Sequence, residues 1–127
     1  IAAKAGKEVA YHLERSADLV IRLGDGTEES HARMQDALER LWPWAGEAFV
    51  SDDIDRRLSD AGLMPAPESL RPRWDATISD VLAEATLKAP ENTFAHTGGK
   101  QGRHTEHLGH ILTTMQWLQR AYPGANW

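Results

Sequence analysis

The sequence predicts an all-α fold. Four long segments carry apolar residues at three- and four-residue steps, the spacing that gathers side chains on one face of a helix. Nothing alternates with period two over enough residues to make a strand. Glycine and proline mark several of the ends between the periodic segments, and Pro43 lies inside one.

The first helix is predicted from about Ala2 to Leu23, with Ala5, Val9, His12, Leu13, Ser16, Val20 and Leu23 along one stripe. Gly24 is expected to turn left-handed and close it, with Asp25-Gly26 completing the turn. No Ser, Thr, Asp or Asn precedes Ala2 to cap the start. The chain is therefore expected to be a piece whose absent N-terminal part once continued this helix. The second helix starts after Thr27 or Ser30 and carries Met34, Ala37, Leu38, Leu41, Ala45, Ala48 and Phe49. Glu28 and Glu29 suit the positive end of its dipole. Pro43 removes one backbone donor and is expected to kink or divide it.

Ser51 is the expected cap of a short helix, DDIDRRLSDA, that stops at Gly62. After a proline-rich connector, Pro67 is placed as a first helical residue. That fourth helix carries Leu70, Trp74, Ile78, Val81, Leu82 and Ala85 and is expected to reach Pro90. The stretch APENTFAHTGGKQGR has no period and reads as a loop. A last long helix is predicted from about His104 to Tyr122, presenting Leu108, Ile111, Leu112, Met115 and Leu118 before Pro123-Gly124 ends it.

The 127 residues make one domain's length, and the net charge of −5 gives no basic footprint for nucleic acid or a membrane surface. With no cysteine, disulfides, thiolate metal sites and cysteine nucleophiles are all excluded. That composition fits a cytoplasmic protein. No apolar run approaches the roughly 20 residues a membrane span requires.

Two stretches carry candidate chemistry. In GGKQGRHTEHLGHIL, residues 98 to 112, His104 and His107 fall one helical turn apart, as do Glu106 and His110. At 3.6 residues per turn Glu106 points nearly opposite His104, so the four cannot converge on one ion from a regular helix. A polar first turn is the plainer reading, with Thr105 or Glu106 meeting free backbone amides. Lys100 and Arg103, beside glycines and a helix start, are candidates for holding an anion or a partner's carboxylate. The phosphate-loop order G-x-x-x-x-G-K-[ST] is absent.

The second stretch is KEVAYHLERS. Di-metal helical bundles use Glu-x-x-His, which sets a carboxylate beside an imidazole on the inner face. Here the residue three before His12 is Val9, which has no donor atom. Glu8 is shifted by about 100° and is better placed to pair with His12 than to share an ion with it. Five tryptophans are spread along the chain, and Trp127 is expected to insert into a neighbouring chain.

Taken together, KEVAYHLERS, RLGDGT, the following LW, TGGKQGRHTEHLG and the ending MQWLQRAYPGANW resemble the C-terminal half of the PaaC family, the structural subunits of bacterial ring 1,2-phenylacetyl-CoA epoxidases. The resemblance runs over nearly the whole chain. It implies a ferritin-like bundle whose last helix is the first helix here, with the later helices as a C-terminal extension. It also implies a non-catalytic role, with no catalytic residue and no cofactor in this chain. The partners implied are a di-iron PaaA subunit that epoxidises the ring, further epoxidase subunits including a reductase, and the protein's own N-terminal half. Val9 and His12 are then vestiges of a metal helix, and Lys100, Arg103, His104, Glu106 and His107 are candidate partner contacts. Two enzyme-like or metal-binding alternatives remain: a di-metal oxygenase using His12 with carboxylates from other helices, and a stand-alone metal domain using His104, His107 and His110.

Overall fold

The computed structural model describes residues 1–91 and 94–126. The expectation for Trp127 lies outside the described residues, as do Asn92 and Thr93 of the predicted loop. Among the described residues there are helices, turns and loops but no strand. None of these helices is long and apolar enough to cross a membrane. The chain forms two compact units, residues 1–95 and 96–127.

The first unit is built on four helices: α1 (Ala2–Gly24), α2 (Glu28–Leu41), α3 (Asp53–Asp60) and α4 (Pro67–Glu84). Its core is small. Leu82, Ala85 and Leu87 are buried, and Val20 and Ile21 of α1, Met34 and Leu38 of α2, Trp42 and Ile78 pack around them. Only the C-terminal end of α1 takes part, because every residue from Ile1 to Ser16 is exposed.

Gly24 corrects one expectation. It does not turn left-handed but stays helical and buried, and Asp25 closes the helix with its N–H on the Ile21 carbonyl at 2.8 Å. A Cβ on Gly24 would lie 2.4 Å from the Ala85 carbonyl oxygen and 2.9 Å from the Ala85 Cβ. Glycine is needed there for close approach of two backbones, not for turn geometry.

Thr27 caps α2 in a reciprocal box: its hydroxyl accepts from the Ser30 N–H at 3.2 Å, and the Ser30 hydroxyl accepts from the Thr27 N–H at 2.9 Å. Pro43 divides the predicted second helix as expected. Beyond Leu41 the chain runs through two short 3₁₀ turns, Trp42–Trp44 and Gly46–Phe49.

The cap of α3 is Asp52, not Ser51. Asp52 accepts from the Ile54 and Asp55 N–H groups, both at 2.8 Å. Ser51 is engaged elsewhere: its N–H and its hydroxyl donate to the two carboxylate oxygens of Glu68, each at 2.7 Å. Those bonds, the hydroxyl's first, hold the Glu68 carboxyl below its ordinary pKa. Gly62, at φ +69°, ends the helix as predicted.

Pro67 opens α4, but the helix stops at Glu84 rather than near Pro90. Thr86 turns left-handed at φ 58°, an uncommon state for a β-branched residue. The turn swings Leu87 back into the core, with its N–H on the Leu82 carbonyl at 2.9 Å. Burial of Leu87 and the next hydrogen bonds outweigh the helical tendency of the segment. The Gln35 side-chain amide then grips the Lys88 backbone from both sides, donating to its carbonyl and accepting from its N–H at 3.0 Å each.

In the second unit, Gly98 at φ +95° and Gly102 at φ +87° bracket a 3₁₀ turn over Gly99–Gln101. The predicted last helix is two helices, α5 (Glu106–Met115) and α6 (Trp117–Ala121), broken at Gln116. Leu108 and Leu112 are half-buried, whereas Ile111, Met115, Trp117 and Leu118 are exposed.

Candidate functional site

The metal-helix position of α1 is open. Val9 is 63% exposed and His12 is exposed, its ring edge-on to Tyr11 with centroids 5.6 Å apart. Val9 offers no lone pair, so the i, i+3 carboxylate–imidazole pair of a di-metal helix is absent from this turn.

The histidine-rich stretch is arranged differently from the expectation. His104 lies outside the helix, so the one-turn spacing of His104 with His107 is not realised. Thr105 is the cap residue yet makes no side-chain cap bond, and Glu106 is the first helical residue. Among the described residues no three His, Asp or Glu side chains are grouped as a metal site, so His104, His107 and His110 are not brought together. The Arg103 N–H bonds the Gly98 carbonyl at 2.8 Å, and its side chain lies where a Cβ on Gly98 would be, 2.5 Å from Cδ. Gly98 thus lets the basic loop fold onto itself. Lys100 stands on the intervening turn.

A site the sequence reading did not single out lies in the first unit. The division of α2 at Pro43 places Trp42 and Phe49 against Trp74 of α4, with ring centroids 5.7 and 5.2 Å apart. Arg71, one turn before Trp74, lays its guanidinium over both the Phe49 and Trp74 rings at 5.3 Å. Its Nε donates to Asp75 at 2.7 Å. Gly46 lets the loop bearing Ala95 close on the 3₁₀ turns, since a Cβ on Gly46 would meet the Ala95 Cβ at 2.7 Å. Together these residues enclose an open cleft of about 420 Å³. The available signal was W-P-W followed by an R-x-x-W step, but it specifies a cluster only once the two segments are known to meet.

A second polar feature joins α1, α2 and the turn after α4. The His31 Nδ1 is 2.7 Å from the Gly24 carbonyl oxygen, and the Thr86 hydroxyl is 3.4 Å from both. The carbonyl can only accept, so the Nδ1 carries the proton in this contact. This ties the exit of α4 to the end of α1 and is a packing device.

The comparisons with known proteins agree with the motif reading. The PaaA/PaaC family model, described as Phenylacetic acid catabolic protein, matches residues 1–127. The chain is 46% identical over 127 residues to an Escherichia coli (strain K12) protein named as a subunit of 1,2-phenylacetyl-CoA epoxidase. That alignment takes in 100% of this chain and 51% of the relative, so the chain spans about half the length of the curated protein it matches. The chain belongs to the phenylacetic acid catabolic protein family.

Proposed function

We propose that this chain is part of a non-catalytic structural subunit of a cytoplasmic phenylacetyl-CoA 1,2-epoxidase that scaffolds the di-iron PaaA subunit. Support for assignment to the epoxidase comes from identity along the whole chain to a protein named as one of its subunits. Support for a structural role comes from one observation: an aliphatic Val9 stands three residues before His12 on α1. Iron–oxygen chemistry then belongs to the partner, and this chain supplies surface. On this reading the exposed turns of α1 carrying Val9 and Leu13 pack against helices from the other half of the subunit. The basic loop with Lys100 and Arg103, and the first turn of α5 with Glu106 and His107, serve as polar contacts.

Purification of the complete subunit together with PaaA, with iron counted in each chain, tests the reading. Two irons in PaaA and none in this subunit are expected. About two irons per chain in this subunit alone would overturn it in favour of a di-metal oxygenase. Replacing His104 and Glu106 with alanine should weaken the association with PaaA while leaving the thermal transition in place.

A further inference from the structure

We infer that residues 86–89 form a strained strap with two packings, one that closes over the core and one that lengthens α4. Three observations carry this. First, the observed closure uses an unfavourable residue. The Leu87 N–H bonds the Leu82 carbonyl at 2.9 Å, and the Thr86 N–H bonds the Ala83 carbonyl at 3.2 Å. That pair of bonds is a Schellman close, with Leu87 and Leu82 together in the core. Its left-handed position normally takes glycine, yet here it holds Thr86 at φ 58°. A β-branched residue is costly in that conformation, so the strap is closed against its own backbone.

Second, the same residues offer another register. Continued as a helix toward Pro90, α4 would align Ile78, Leu82, Ala85 and Ala89 in one row. Ala89 would then join the core face, and Leu87 would point about 140° away from Leu82. The two packings exclude each other. Closure buries Leu87, now 7% exposed, and leaves Ala89 exposed, whereas extension reverses them.

Third, the groups that hold the strap come from other helices. Gln35 of α2 clamps the Lys88 backbone with two bonds of 3.0 Å. The Thr86 hydroxyl lies 3.4 Å from both the His31 Nδ1 and the Gly24 carbonyl oxygen. The strap also walls two open clefts. Leu87 and Ala89 line one of about 350 Å³ with Trp42 and Ile78, and Thr86 and Lys88 line one of about 590 Å³ with His31 and Glu39. Release therefore lengthens α4 and reshapes both clefts at once. Because α1 and α2 supply the holding groups, the strap couples their packing to the length of α4.

Amide exchange read residue by residue by NMR on the full chain tests this. The telling amide is Leu87, whose acceptor carbonyl on Leu82 no variant below removes. It should exchange through a local opening, at least about tenfold faster than amides in the middle turns of α4. Thr86→Gly relieves the left-handed strain and should slow it about tenfold. Gln35→Ala removes the clamp and should speed it about fivefold while the middle of α4 is unchanged. Leu87→Ala removes the buried anchor, and Cα chemical shifts over 85–89 should become helical. The proposal is overturned if Leu87 exchanges no faster than the middle of α4 in both the native chain and Gln35→Ala. An unchanged rate in Thr86→Gly overturns it as well. So do coil-like shifts over 85–89 in a Leu87→Ala chain whose other helices persist; if that variant does not fold, the exchange rates decide alone. None of these measurements involves iron or a partner subunit, so the scaffold reading stands or falls separately.

Discussion

The two ends of α1 differ more than their sequences do. Both carry apolar residues at helical spacing, yet Val20, Ile21 and Gly24 pack on the core while Val9 and Leu13 lie open. The difference is one of partners. Gly24 admits the Ala85 backbone, and α2 and α4 cover the last turns of α1. Among the described residues no element covers the first turns. An amphipathic stripe therefore records that a helix is built to be covered, without saying by what. Most of a helix's stability in a protein comes from what packs on its apolar face.

That contrast can be broken most strongly at Leu82. Leu82→Ala removes a side chain only 6% exposed and should cost about 2–5 kcal/mol in urea unfolding of the chain. Leu13→Ala, at 56% exposure, should change the same measurement by less than about 0.5 kcal/mol. If the proposed packing of α1 is right, that second cost rises toward core values in the complete subunit.

Gly24→Ala should follow in size. The gain in helix propensity is about 1 kcal/mol, but the new Cβ strikes a backbone carbonyl that cannot rotate away. A net loss of about 1–3 kcal/mol is expected, together with faster amide exchange at the end of α4. Gln35→Ala should cost about 1 kcal/mol, since it removes two hydrogen bonds to Lys88 that are partly replaced by water.

The smallest effect is pH-dependent. The Glu68 carboxyl is held below its ordinary pKa by the Ser51 hydroxyl and backbone amide. Its contribution is thus present above the ordinary carboxylate value and is lost as pH falls through the lowered one. The advantage of the native chain over Glu68→Gln should shrink in acid and stay flat at neutral pH, as read by thermal melting across a pH series.

Much of the fold was legible because local chemistry and tertiary packing agreed. Pro43 divided the second helix, Thr27 capped α2, Pro67 opened α4 and Gly62 ended α3. The misreadings arose where distant groups competed. Ser51 looked like a cap by composition but is held by Glu68, 17 residues away, leaving the role to Asp52. The fourth helix lacked any local stop signal before Pro90; burial of Leu87 ended it at Glu84. His104 fell outside its helix because Thr105 is extended and serves as the cap, so α5 begins only at Glu106.

For the candidate site the division is similar. The missing oxygen donor beside His12 can be read from four consecutive residues, because a helix fixes the geometry of an i, i+3 pair. The cleft around Arg71 cannot, because Trp42 and Trp74 are 32 positions apart and meet only where the 3₁₀ turns after α2 pack on α4. By itself the sequence determined the helical class, the main breaks and the family, all of which rest on near-neighbour spacing and ordered motifs. Tertiary structure alone decided which face of each helix is covered, where α4 ends and which rings meet a guanidinium, since those outcomes depend on groups that reach one another only in the folded chain.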